Sequence, residues 1–162
     1  MTALKTTLFM LLVPGLLVGA MPIWLVKTDT ALFSFGIFRW LAVPLWAAGA
    51  ALVLWCAWAF TVRGGGTPSP TDPPRKLVVN GLYLFVRNPI YLGVVAVFLG
   101  YVLWHPSRAL LLCPVIVAVS SHLFVIFYEE PHLRKTFGAA YEEYCQSVPR
   151  WLPHFKRSLD KL

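Results

Sequence analysis

The chain of 162 residues is 58% hydrophobic and only 13% charged, with a mean hydropathy of +0.68, which is more apolar surface than a soluble domain of this length can bury. An ordinary soluble globule is thereby excluded, and the seven Trp, eleven Phe and six Tyr suit a membrane protein with rings at the headgroup level. The formal charge of +7 does not point to nucleic acid, because the basic residues flank apolar runs instead of interleaving with aromatics on a soluble surface.

The expected fold class is all-α: an integral membrane bundle of about four transmembrane helices with a C-terminal amphipathic helix, forming one domain over 1–162. A first span covers about 4–26, close to the length that crosses a hydrocarbon core of roughly 30 Å. Lys5 before an apolar run is a signal-peptide pattern, but the run continues to Val26 without a convincing small-residue cleavage site, so it reads as a retained span. Pro14 and Gly15 are expected to kink it. The second span, about 35–62, contains Gly49 among alanines, which lets another helix approach closely.

Between 63 and 87 the chain changes character. Gly64, Gly65, Gly66, Pro68, Pro70, Pro73 and Pro74 rule out a regular helix, leaving an ordered loop or a linker. A third span runs from about 88 to 104, His105 and Pro106 turn the chain, and a fourth span runs from about 108 to 128. It is expected to stop at Glu129, Glu130 and Pro131. Over 132–146, Leu133, Phe137, Tyr141 and Tyr144 recur at helical spacing, predicting an amphipathic helix laid against the membrane or the bundle.

With the N-terminus inside, Lys27, Arg39 and Arg108 fall outside and the remaining Lys and Arg fall in the cytoplasm, as the bias that orients spans requires. Both termini and the loop 63–87 are then cytoplasmic. Cys56, Cys113 and Cys145 lack any Cys-x-x-Cys or other metal spacing and read as free thiols.

In that topology the Gly/Pro loop, the start of the third span with Tyr83, Arg87, Asn88, Pro89 and Tyr91, and the end of the fourth with Glu129 and Glu130 meet at one face. Ionisable groups near hydrocarbon face a partner or a cavity, and Arg87 against Glu129 or Glu130 is the obvious pair. Ordinary interfacial anchors beside a plain linker would also account for these residues. His122 lies seven residues before Glu129, two helical turns, so both project from one face. It is a candidate for lining an acceptor cavity, or a bundle histidine hydrogen-bonded near Ser120 and Ser121.

The run Gly81-x-Tyr83-x-x-x-Arg87-Asn88-Pro89-x-Tyr91-x-Gly93, followed by Tyr128-Glu129-Glu130-Pro131, Leu133, Phe137-Gly138, Tyr141, Tyr144 and Val148-Pro149-Arg150-Trp151-Leu152-Pro153, resembles the membrane methyltransferases. That family includes isoprenylcysteine carboxyl methyltransferase and phosphatidylethanolamine N-methyltransferase. The resemblance covers roughly Phe60 to Pro153. It implies methyl transfer from S-adenosylmethionine, entering from the cytosol, to a lipid-like or amphipathic acceptor entering from the bilayer. It also implies cofactor contacts from Gly64, Gly66, Tyr83, Glu129 and Glu130 and catalytic roles for Arg87, Asn88 and Tyr91, with no metal. The glycines let backbone N–H groups approach the cofactor, the carboxylates suit its ammonium, its ribose hydroxyls and the field of its sulfonium, and the tyrosine rings attract a sulfonium. One glutamate is free to bind cofactor while the other holds Arg87 or Arg150.

The family's Arg-His-Pro is Arg87-Asn88-Pro89 here, and asparagine cannot act as a general base near neutral pH. The asparagine matches the phospholipid branch and favours an acceptor other than a prenylcysteine. Two other classes compete with a methyltransferase: a haem- or quinone-carrying subunit and a non-enzymatic membrane scaffold. Haem is disfavoured because His105 and His122 are separated by roughly 21 Å along the bundle at 1.5 Å per residue.

Overall fold

The computed structural model describes residues 15–65 and 76–153, and among these every regular element is helical. Helix α1 is Gly15–Thr28, beginning with a π turn over Gly15–Ala20. The rest of the expected first span, including Pro14, lies outside the described residues. Helix α2, Gly36–Gly64, opens as a 3-10 turn over Gly36–Leu41 and closes in a π turn over Phe60–Gly64. Helix α3 is Pro89–Trp104, α4 is Arg108–Phe137, and a short α5 covers Ala139–Ser147. Helices α2 and α4 are long and apolar enough to cross a membrane, whereas α1 and α3 are shorter apolar helices.

The boundaries of α3 follow from local chemistry. Asn88 is extended out of helical geometry at φ −124° and ψ 54°, because the residue before a proline is pushed from the α region. Pro89 then occupies the first turn, where a missing N–H costs nothing. At the other end His105 leaves the helix and Pro106 ends it. Large apolar side chains face outward on both long helices, among them Leu54, Trp58 and Val62 on α2 and Leu112, Val115, Ile116 and Val119 on α4. An apolar surface of that extent needs lipid or another protein against it.

Helices α2 and α3 approach closely, as expected at Gly49. A Cβ at Gly49 would lie 2.6 Å from the Gly93 carbonyl oxygen, and one at Gly93 would lie 2.9 Å from the Gly49 oxygen. The contact is backbone on backbone and cannot yield by a rotamer change. Gly49→Val is therefore expected to destabilise the bundle by about 1–3 kcal/mol through overpacking. A lowered unfolding temperature of the detergent-solubilised protein would register it, and an unchanged one would refute this account of the contact.

Two expectations need correction. The fourth span does not stop at the acidic pair: α4 continues through a π turn at Val125–Glu129 into Glu130–Phe137. Pro131 sits in the first turn of that continuation, and the wider π turn absorbs the hydrogen bond that proline cannot donate. The amphipathic segment 132–146 is likewise two pieces, because Gly138 adopts φ +54° and ψ −129°, a conformation essentially confined to glycine. The apolar stripe nevertheless survives the break. Tyr141, Tyr144 and Val148 are buried together, with Leu133, Phe137, Leu77 and Val79 packed on them.

At the end away from Glu130, Asp29 ties α1 to the α3–α4 turn. Its carboxylate accepts from the Ala109 N–H at 3.3 Å, and its carbonyl meets His105 Nε2 at 2.9 Å. A hydrogen bond from Ser107, together with the Ala109 N–H, holds the Asp29 carboxyl below its ordinary range. Trp40, Trp46, Tyr101 and Trp104 cluster at this end with ring separations of 5.1–5.7 Å. The Arg39 guanidinium lies over Trp40 and Trp104, an aromatic arrangement typical of a membrane–water interface.

Candidate active site

The opposite end is organised by Glu130, which is buried to 3% exposure. Arg150 grips it with two hydrogen bonds, Nε to Oε1 at 2.6 Å and Nη2 to Oε2 at 3.0 Å. Arg87 Nη1 lies 3.2 Å from Oε1, and Arg134 Nη2 lies 3.6 Å from Oε2. A carboxylate in apolar surroundings requires such compensation, and the paired geometry of Arg150 is the strongest form available. Of the pairings left open by the sequence, Glu130 therefore holds both Arg87 and Arg150.

Around this hub the segment before α3 is stitched to the chain after α5. The Arg87 backbone N–H donates to the Pro149 carbonyl at 2.9 Å, and Asn88 Nδ2 donates to the Arg150 carbonyl at 3.2 Å. Tyr144 Oη donates to the Tyr83 carbonyl at 2.8 Å, and Arg87 Nη1 donates to Cys145 Sγ at 2.6 Å. These backbone carbonyls carry no residue-type signal, and Cys145 was read only as a free thiol, so neither partnership was legible in the sequence. Asn88 acts here as a brace between α3 and the tail.

Glu129, one residue earlier, has a different environment. Tyr91 Oη donates to its Oε2 at 3.0 Å, and among the described residues no cation pairs with it. The 100° turn between consecutive helical positions separates the two carboxylates. Tyr83 lies nearby, buried among Cys56, Ala59 and Val78, with its ring 5.5 Å from Phe60 and 6.2 Å from Trp55. Burial pushes its phenol well above the ordinary range, and the Cys56 thiol and the Glu129 carboxylate add to the shift. Among the described residues, the Tyr83 hydroxyl, which lies near the Cys56 thiol, and Arg87 Nε are buried without an N or O hydrogen-bond partner.

Gly64, the last residue of α2, is buried, and its carbonyl accepts from the Lys76 N–H at 3.3 Å. Gly65 follows in the left-handed region, and Gly66 lies outside the described residues. His122 is exposed on α4, with its Nδ1 accepting from Trp151 Nε1 at 3.0 Å. Trp151 in turn sits 6.3 Å, ring to ring, from Tyr91. His122 thus joins the Tyr91–Glu129 side of the site through a residue that only the Val148–Pro153 motif had marked. His105 stands at the other end with Asp29, so the two histidines cannot bracket one iron.

Several known proteins are similar to part of this chain. A protein-S-isoprenylcysteine O-methyltransferase B from Arabidopsis thaliana is 34% identical over 86 residues, 49% of this chain and 40% of that protein. A phosphatidylethanolamine N-methyltransferase from Uncinocarpus reesii is 31% identical over 99 residues, 56% of this chain and 10% of that protein. A Delta(14)-sterol reductase LBR from Gallus gallus is 34% identical over 83 residues, 49% of this chain and 13% of that protein. The matched stretch is thus less than half the length of each of these relatives. No solved structure matches. The model of the phospholipid methyltransferase family matches residues 37–140, a stretch that holds all of α2 but its first residue, α3, α4 and both glutamates, and the chain belongs to that family.

Proposed function

We propose that the protein transfers a methyl group from S-adenosylmethionine to an amphipathic acceptor held in the bilayer. The observation that carries this reading is Glu129: a carboxylate held by Tyr91, with no cation among the described residues, beside a neighbour that takes three arginines. Such a group calls for a cationic ligand. The similarity to a reductase as well as to methyltransferases leaves the chemistry to the site, and a cation-seeking carboxylate flanked by aromatic rings suits a sulfonium and an ammonium.

The residues present fit the cofactor. Glu129 has acceptor capacity to spare, and Tyr83 Oη and Arg87 Nε are buried donors without N or O partners among the described residues, matched respectively to a cationic group, a hydroxyl and a carboxylate. The buried Gly64 is the described end of the glycine run proposed to let backbone approach the nucleoside. When bound, the cofactor supplies an electrophilic methyl. The chain's own task is alignment and exclusion of water, which can contribute roughly 7–11 kcal/mol when reactants are held in line. Tyr91 orients Glu129, while Glu130 and Asn88 hold Arg87 and the tail in place. Asn88 has no basic lone pair to take a proton, so an amine acceptor must lose its proton elsewhere, whereas a carboxylate acceptor needs no base.

In the membrane, α1 to α4 act as four spans, with the Glu130 end and both termini cytoplasmic. Lys27, Arg39 and Arg108 at the opposite end agree with the excess of basic residues on the cytoplasmic side. Helix α3, at 16 residues, is only about 24 Å long, and Arg87 just before it reaches the headgroup region.

Labelled-methyl transfer into a total lipid extract and a membrane-protein fraction, with identification of the product, tests the activity. Labelled product is expected in one of the two. If calorimetry on the purified protein detects no S-adenosylmethionine binding, the enzyme reading fails and a membrane scaffold takes its place.

A further inference from the structure

His122 is a polar group at this end that the cofactor reading leaves unused. It stands about two turns along α4 from Glu130, exposed on the flank of the bundle beside the exposed Leu123 and Val119. An indole N–H can only donate, so the nitrogen that meets Trp151 Nε1, His122 Nδ1, carries no proton. The ring proton is therefore on Nε2, which has no hydrogen-bond partner among the described residues. A bare N–H donor on an apolar flank is costly unless an acceptor meets it.

Trp151 also fixes where that donor lies. It touches His122 at 5.9 Å and Tyr91 at 6.3 Å between ring centres, and Tyr91 is bonded to Glu129. The tail that carries Trp151 is pinned one residue earlier, where Arg150 grips Glu130 and its carbonyl accepts from Asn88. The exposed imidazole thus lies on the same side of the bundle as the cation-seeking carboxylate. With Nδ1 engaged and Nε2 protonated, the ring has no lone pair to act as a base. It can recognise an acceptor atom, and most strongly an anionic oxygen.

We propose that His122, held by Trp151 as an Nε2–H donor, is a specificity residue that recognises an anionic oxygen, phosphate or carboxylate, on the bilayer-borne acceptor. Trp151 is its positioning residue. The inference rests on the methyl-transfer reading for the purpose of the contact, but the contact itself is measurable without turnover.

The test uses the full chain in nonionic detergent and compares binding of two anionic-oxygen probes with neutral counterparts. Phosphatidylethanolamine is set against diacylglycerol, and N-acetyl-S-farnesylcysteine against farnesol, so the preferred pair distinguishes a lipid phosphate from a prenylcysteine carboxylate. At least one probe is expected to bind roughly tenfold or more tightly than its counterpart. His122→Phe is expected to abolish the preference, His122→Gln to keep most of it through an amide N–H near the Nε2 position, and Trp151→Phe to weaken it. S-adenosylmethionine affinity, measured by calorimetry, is expected to stay unchanged in both His122 variants and serves as the check on folding. A wild-type protein without the preference, or a His122→Phe variant that keeps it, overturns the inference. If S-adenosylmethionine still binds in that case, the methyltransferase reading stands. A wild-type protein that shows the preference but binds no S-adenosylmethionine overturns that reading and not the role of His122.

Discussion

Glu130→Ala should lower the stability of the protein by about 3–5 kcal/mol, the range for removing one partner of a buried ion pair. The carboxylate is 3% exposed and Arg87 only 11%, so the guanidinium left behind cannot turn to water without moving the backbone. Arg150 loses both of its bonds, and with them goes the main attachment of the tail to α4. The expected readouts are a markedly lower unfolding temperature in detergent and faster proteolysis within 139–153. Glu130→Gln keeps the shape while removing the charge and should fall between the variant and the parent. An alanine variant as stable and as protease-resistant as the parent would show that the hub is not what holds the tail.

The neighbouring substitution should behave in the opposite way. Glu129→Ala leaves one tyrosine hydroxyl without its acceptor and breaks no ion pair among the described residues, so its unfolding temperature should barely move. Its S-adenosylmethionine affinity should fall about 10- to 100-fold, the scale of a hydrogen bond to a charged group. Tyr91→Phe, which frees Glu129 without removing it, should have a smaller effect. Normal cofactor binding by Glu129→Ala, with binding lost in a folded Glu130→Gln variant, would reverse the assignment of the two carboxylates.

The helices could be read from the sequence wherever a local feature ends them. Pro89 and the His105-Pro106 turn marked α3 at both ends, because proline acts through its own ring and missing N–H. The continuation of α4 beyond Pro131 was hidden, since a proline is tolerated once a π turn has widened the preceding hydrogen-bond ladder, and nothing local announces that turn. Gly138 divided a segment whose stripe looked continuous, because Phe137 and Tyr141 reach the same buried cluster from separate helices. At the site, both glutamates were visible, but which of them pairs with the arginines was not. That pairing depends on Arg87 and Arg150 arriving from distant parts of the chain. Trp151 was visible in a motif, but its bond to His122 spans 29 residues and leaves no periodicity to detect.

The bonds that complete the Glu130 hub also impose an order on assembly. Arg87 enters the membrane-bound chain before Glu130 has been made, and Arg150 follows twenty residues after Glu130. During synthesis the apolar helices can insert and pack on their own burial, through contacts such as Gly49 on Gly93, while the carboxylate still lacks its best partner. Docking of the tail can complete the hub only after Arg150 has been made, and a chain stalled before residue 150 would lack the two-bond partner of Glu130.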